Sequence, residues 1–180
     1  MENLKNILEK ITVLGIDPSL SNTGLSLIIN GEIVKVHNIN TGKKKTYFEK
    51  LKYITYEIFN FCVLIKTPQV IAIETPYIGH FGGNSSLKIA EVRGVIVASL
   101  TSFFRADIFP EFVDVSAVQA KVVLGVSPRL KRVESKEQVK KNVCLNFPKL
   151  QEASQDIIDA TAIAVAGAKF FKTQNILTCS

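Results

Sequence analysis

The segment 155–171, QDIIDATAIAVAGAKFF, constrains this chain more than any other. It is apolar almost all the way round a helix, so it has no face to give to water. A helix buried on all sides calls for layers, with a sheet beneath it and further helices beside it. Yet it opens with two carboxylates, Asp156 and Asp159. Three residues apart, they project from one helical face. A carboxylate in a first helical turn is stabilised by the helix dipole, so each has an ordinary structural explanation as well as a functional one.

The rest of the chain supplies the sheet. ITVLGI (11–16) is a β-branched apolar run ending at Asp17-Pro18. LSLII (25–29) and EIVKVHNI (32–39) flank Asn30-Gly31, a hairpin signal. An antiparallel three-strand opening is therefore predicted. Apolar residues at steps of three and four predict a helix over 47–65, and VIAIE (70–74) predicts a buried strand ending at Glu74. A long helix over 85–104, a strand over 112–116 and a helix from about Ser135 to Asn146 follow, before the final helix. The order β-β-β-α-β-α-β-α-α gives an α/β fold: a mixed five-stranded sheet with helices on its faces. Residues 1–180 read as one domain, with 1–10 and 172–180 as peripheral tails. Gly94 lies inside the long helix, where it costs roughly 1 kcal/mol against alanine; a close helix contact is the expected reason.

Composition excludes several classes. Hydrophobic residues make up 47% and charged residues 21% of 180 residues, too apolar for a disordered chain. No apolar run reaches the roughly 20 residues that span a bilayer, and MENLKNILEK lacks a signal core. Cys62, Cys144 and Cys179 are too scattered for a disulfide framework or zinc knuckle. A soluble, cytoplasmic protein with no membrane partner is expected. The net charge is +6, and its placement is uneven: residues 121–149 hold 8 basic and 2 acidic residues, while the rest balances at 14 against 14. A localised basic patch fits a polyanionic partner, the ordinary alternative being a solvated helix face. TGKKKT (41–46) adds a short basic loop.

Asp17, Glu74, Asp156 and Asp159 each flank an otherwise apolar element. Strand ends and helix starts are the rims of an α/β sheet, where sites form. If the four converge, ionised carboxylates need cations between them, because like charges raise one another's pKa. Oxygen ligands without Cys or His point to Mg²⁺ or Mn²⁺. Two such ions catalyse in-line phosphoryl displacement, with the basic segment holding the polyanion.

These residues resemble the RuvC-type Holliday junction resolvases of the RNase H-like fold. Five segments carry the resemblance: ITVLGIDPSLSNTGLSLI (11–28), VIAIETPY (70–77), NSSLKIAEVRGVIVASL (84–100), SKEQVKKNV (135–143) and QDIIDATAIAVA (155–166). It implies a homodimeric Mg²⁺-dependent endonuclease that binds four-way DNA junctions and nicks two strands symmetrically. Asp17, Glu74, Asp156 and Asp159 would be the catalytic metal ligands for two ions, Asp17 bridging both, and Lys136 a DNA-contacting lysine that supports activity. The 84–100 helix would form much of the dimer interface. An aromatic after Glu74 would stack on opened bases; Tyr77 matches best, with Phe81 its rival. Lys121, Arg129, Lys131, Arg132, Lys136 and Lys140 are the expected DNA-binding cations. The sequence also departs from the family. Ser19 stands where glycine follows Asp-Pro, the loop around GHFGG is longer, VSPRLKRVE (126–134) is expanded, and Ala120 takes the place of a second lysine, with Lys121 one position late. The chain reads as a divergent member, encoded by a bacterium or a phage and acting in the cytoplasm or at the nucleoid. No feature points to a helicase partner.

Two other readings remain open at this stage: an RNase H-like nuclease acting on other branched or hybrid nucleic acids, and a junction-binding protein without catalysis. A sugar-kinase or actin-like ATPase also opens with a Gly-x-Asp-x-Ser turn. It needs two such domains and an adenosine-binding glycine motif, which 180 residues do not supply.

Overall fold

Three antiparallel strands start the sheet: β1 (Thr12–Asp17), β2 (Asn22–Ile29) and β3 (Glu32–Asn40). The structure, a computed structural model, describes residues 4–76, 84–104 and 109–178. Asn30 and Gly31 both take positive φ, 51° and 84°, which is the backbone that a tight two-residue hairpin demands. β4 (Val70–Glu74) then pairs parallel to β1, and β5 (Glu111–Val115) parallel to β4. The strand order is β3-β2-β1-β4-β5. The mixed five-stranded sheet is therefore as expected.

Side chains alternate along the strands and divide the core in two. Val13, Val70, Ala72, Val113 and Val115 face one side. There they meet α1 (Leu4–Leu8), α4 (Ala117–Val123), α5 (Arg132–Asn146) and α6 (Gln155–Thr178). Leu14, Ile16, Leu25, Leu27, Ile71 and Ile73 face the other, against α2 (Tyr47–Val63) and α3 (Asn84–Phe103). α6 crosses β1, β2 and β4. Its residues Ala160–Ala168 are all buried, which explains a helix that is apolar all round. Small side chains let it lie close to the sheet. A Cβ at Gly15 of β1 would overlap the Ala160 carbonyl and the Ala164 side chain.

Four expectations are corrected. The lead-in at 1–10 is not merely peripheral: α1 forms within it, and Ile7 and Leu8 are buried. Leu4, Ile7, Leu8 and Ile11 fall at helical steps that the polar residues between them obscure. The tail at 172–180 is not separate either, because α6 runs to Thr178 and Lys172 Nζ donates to the carbonyls of Asn6 (2.9 Å) and Glu9 (2.8 Å). α4 has no counterpart among the expected elements, although Ser116 and Gln119 form a capping box around its first turn. Finally, Gly94 is exposed and no described group stands within 4 Å of where its Cβ would be, so no contact among the described residues explains it. Among the described residues, no helix is long and apolar enough to cross a membrane.

Candidate active site

The parallel pairing of β1 and β4 places Ile16 beside Ile73, so the next residues, Asp17 and Glu74, leave the sheet side by side. Both stand at the carboxyl end of their strands, where open sheets form their sites. After Asp17 the chain turns sharply. Thr23 Oγ1 donates to the Ser19 carbonyl (2.7 Å) and accepts from the Ser19 N–H (3.2 Å), and this fully buried threonine fixes the turn. After Glu74, the Thr75 N–H bonds the Val115 carbonyl (2.9 Å) and extends the ladder by one residue.

α6 brings the other two acids. Its first turn rests on β2 at Gly24, the residue paired with Asp17. A Cβ there would overlap the Asp156 backbone, so glycine is the residue that allows this approach. Asp17, Glu74, Asp156 and Asp159 thereby line one cleft of about 440 Å³. Lys121, Arg132 and Lys136 line the same cleft. Lys136 Nζ lies 3.9 Å from Asp159 Oδ2.

The electrostatics follow from burial and crowding. Burial pushes the Asp17 carboxyl up to about 9; a hydrogen bond to Glu74 and the charges of Glu74, Asp159 and Asp156 add to the rise. Burial and the neighbouring acids thus favour the protonated form of Asp17 beside Glu74. Glu74 is also raised, first by burial, while the Asp17 hydrogen bond and Lys136 and Lys121 oppose the rise. Asp159 is raised by burial against the hydrogen bond from Gln155 and the charge of Lys136. Carboxyls crowded together in a low-dielectric cleft are groups that a cation would separate and ionise. The donor set is all oxygen and suits Mg²⁺ or Mn²⁺. Among the described residues, no three His, Cys, Asp or Glu side chains stand close enough together to hold a metal ion as they are. The fit to divalent cations rests on the all-oxygen donor set and on the crowding of carboxyls in one cleft.

Two further side chains hold the acids and carry no signal of that role in the sequence. Asn38 of β3 donates from Nδ2 to Asp156 Oδ2 (3.3 Å) and to Ser154 Oγ (3.1 Å). Gln155 Nε2 donates to Asp159 Oδ1 (2.7 Å), one turn along α6. The second contact is readable in hindsight as an i,i+4 pair; the first depends on cross-strand placement. Of the expected cations, Lys121 faces the cleft with Ala120 buried beside it, so a lysine does reach this wall despite the shifted position. Arg129, Lys131 and Lys140 are exposed and do not line it. Tyr77 and Phe81 lie outside the described residues.

A β3-β2-β1-β4-β5 sheet with acids at the ends of β1 and β4, and more on the helix packed across them, defines the RNase H-like class of nucleases. The family model for the crossover junction endodeoxyribonuclease RuvC matches residues 13–167. The chain belongs to the RuvC family. One relative, the crossover junction endodeoxyribonuclease RuvC of Syntrophotalea carbinolica, is 30% identical over 170 residues, 92% of this chain and 99% of that protein. The RuvC of Prochlorococcus marinus is 28% identical over 164 residues, 87% and 97% of the two chains. The fold is similar to that of Thermus thermophilus RuvC in complex with a Holliday junction substrate, with a TM-score of 0.73 at 18% identity, covering 91% of this chain and 96% of that one. It is also similar to the yeast mitochondrial Holliday junction resolvase, with a TM-score of 0.61 at 13% identity, covering 96% and 88%.

Proposed function

We propose that this protein is a single-domain, divalent-metal-dependent endodeoxyribonuclease that resolves four-way DNA junctions by paired nicks. The observation that carries the site assignment is the cleft itself: four carboxylates from β1, β4 and α6, gathered with Lys121, Arg132 and Lys136. A chain built only for stability gains nothing from gathering buried like charges.

Asp17, Glu74, Asp156 and Asp159 would hold two Mg²⁺ ions, with Mn²⁺ a substitute. Bound there, the ions supply nucleophile activation and charge neutralisation at the phosphate. The chain's own groups do the rest. Asn38 and Gln155 hold Asp156 and Asp159 in fixed orientations. Lys136 and Lys121 face the charge that develops on the phosphate oxygens. Cations held there would favour the ionised form of Asp17, so loading them would release a proton.

A homodimer suits the reaction, since two symmetric nicks need two sites related by a two-fold axis. α3 supports this. Its Val92, Ile96 and Leu100 are fully buried in the protein's own core, and Ile89 lines the cleft. The opposite face, with Leu87, Ala90, Gly94 and Ala98, is mostly small and open to solvent. A second copy against that face would give Gly94 the close contact it lacks among the described residues.

The test is a panel of substrates with and without Mg²⁺: a synthetic four-way junction, a linear duplex and an RNA–DNA hybrid. The expected result is Mg²⁺-dependent nicking of the junction at paired positions in two strands of like polarity. Preferred cutting of the hybrid, or binding without cutting, would overturn the reading.

A further inference from the structure

The basic loop at 41–46 has no part in the site described above, yet the fold sets it on the same edge of the sheet. It follows the last residue of β3, Asn40, which pairs with Asn22 of β2. Thr41 ties it to the turn after Asp17: its N–H bonds the Ser21 carbonyl (3.0 Å), and its Oγ1 donates to the Leu20 carbonyl (2.6 Å). β3 stands two strands from β1, roughly 10 Å away. Lys121, Arg132 and Lys136 line the cleft from α4 and α5, the two helices packed beside α6. Lys43, Lys44 and Lys45 flank the acids from the β3 side.

The loop is held, not floppy. Gly42 N–H bonds Asn40 Oδ1 (2.8 Å), and Lys44 N–H bonds the Thr41 carbonyl (2.9 Å). The N–H groups of Lys45 and Thr46 both bond Glu49 Oε2 (3.0 and 2.9 Å). A fixed backbone thus presents three consecutive lysines whose charges repel one another. Among the described residues, none of the three has an ion pair within 4 Å. Lys44 lies over the Tyr53 ring at 4.4 Å, and Glu49, already bonded to the backbone, is the one acid among the five lysines of residues 41–52. Phe48, 79% exposed, begins α2 beside the loop. Three consecutive lysines on a hydrogen-bonded backbone, with no ion pair among the described residues, beside an exposed ring match a nucleic acid, which offers phosphates and flat apolar groups together.

We infer that Lys43, Lys44 and Lys45 form a second DNA-binding surface, which holds the phosphates of a duplex arm beyond the cleft that Lys121, Arg132 and Lys136 line. The inference rests on the nuclease reading proposed above. Ten ångströms of sheet edge matches roughly three nucleotides of duplex axis, so the loop meets the arm shortly beyond the cleft.

The test compares wild type, the triple variant K43Q/K44Q/K45Q and the control K66Q, an exposed lysine in the turn between α2 and β4, at the opposite edge of the sheet. Binding to four-way junctions with long or truncated arms is measured by fluorescence anisotropy, without divalent metal, between about 50 and 200 mM salt. The triple variant should bind the long-armed junction roughly tenfold more weakly at low salt. Its slope of log affinity against log salt should shrink by about 0.9 for each phosphate that the lysines no longer neutralise. K66Q should match wild type, and the difference should vanish on truncated arms. A triple variant with wild-type affinity and slope overturns the inference. So does a deficit that is equal on both arm lengths or shared by K66Q, because net charge alone would then explain it. If wild type itself does not prefer a junction to a duplex, the resolvase reading fails separately; a reduced slope for the triple variant on long duplex would still support the lysine surface.

Discussion

Asp17 is the residue on which the proposed chemistry turns. In the metal-free protein its proton is retained to about pH 9, against an ordinary value of 3.8. Between those limits the folded state binds more protons than the unfolded chain, so folding stability falls as pH rises through that window. The slope contributed is at most about 1.4 kcal/mol per pH unit. Urea denaturation in chelator from pH 5 to 9 should therefore show declining stability. Saturating Mg²⁺ or Asp17→Asn should flatten the decline, since neither leaves a proton to lose; a pH-independent metal-free protein would contradict the raised Asp17 carboxyl. Asn38 is a positioning residue. Asn38→Ala should weaken Mn²⁺ binding by calorimetry about tenfold or more and raise the Mg²⁺ concentration needed for half-maximal cleavage. The maximal rate should change less. Loss of melting temperature with unchanged Mn²⁺ affinity would make Asn38 merely structural. The acids were legible in the sequence because each interrupts an apolar element at its end. Asn38 was not, because only the β2–β3 register and the crossing of α6 bring it to Asp156.

At the scale of elements, the site depends on how closely α6 lies on the sheet. Gly24 is the tightest point near the acids, since a Cβ would strike the Asp156 backbone rather than a yielding side chain. Gly24→Ala should cost about 1–3 kcal/mol of stability and displace both α6 acids from Asp17. Cleavage should fall at least tenfold even where the protein stays folded, read by circular dichroism alongside the nicking assay; a folded variant of full activity would contradict this account of the seat. The strands and long helices were readable from period and from the Asn30-Gly31 turn. α1 and α4 were not, because helices of 5 and 7 residues carry too few periods to stand out, although the capping box at Ser116 was there to be seen. Gly94 shows the opposite limit: a sequence shows that a helix tolerates a costly glycine, but not whether the neighbour it admits belongs to the same chain.

At the scale of the whole molecule, two groups of cations accompany the acids of β1, β4 and α6: the lysine loop after β3 and the cations of α4 and α5, helices that pack on α6. The strongly basic stretch at 121–149 brings Lys121, Arg132 and Lys136 to the cleft and leaves Arg129, Lys131 and Lys140 exposed outside it, where they remain proposed DNA contacts. If the proposed dimer forms through the solvent-facing side of α3, the protein should sediment as a dimer at micromolar concentration, and Ala98→Arg should shift it to monomer. Monomer alone for wild type would remove the proposed two-fold arrangement.

The central claim is that the four carboxylates cut while the surrounding cations hold DNA. It is tested most directly by measuring junction nicking in Mg²⁺ and junction binding in chelator side by side for wild type and Asp17→Asn. The account predicts that the variant loses cleavage by several orders of magnitude and keeps its affinity, because binding comes mainly from phosphate contacts. An Asp17→Asn protein that nicks junctions at near wild-type rate would contradict it.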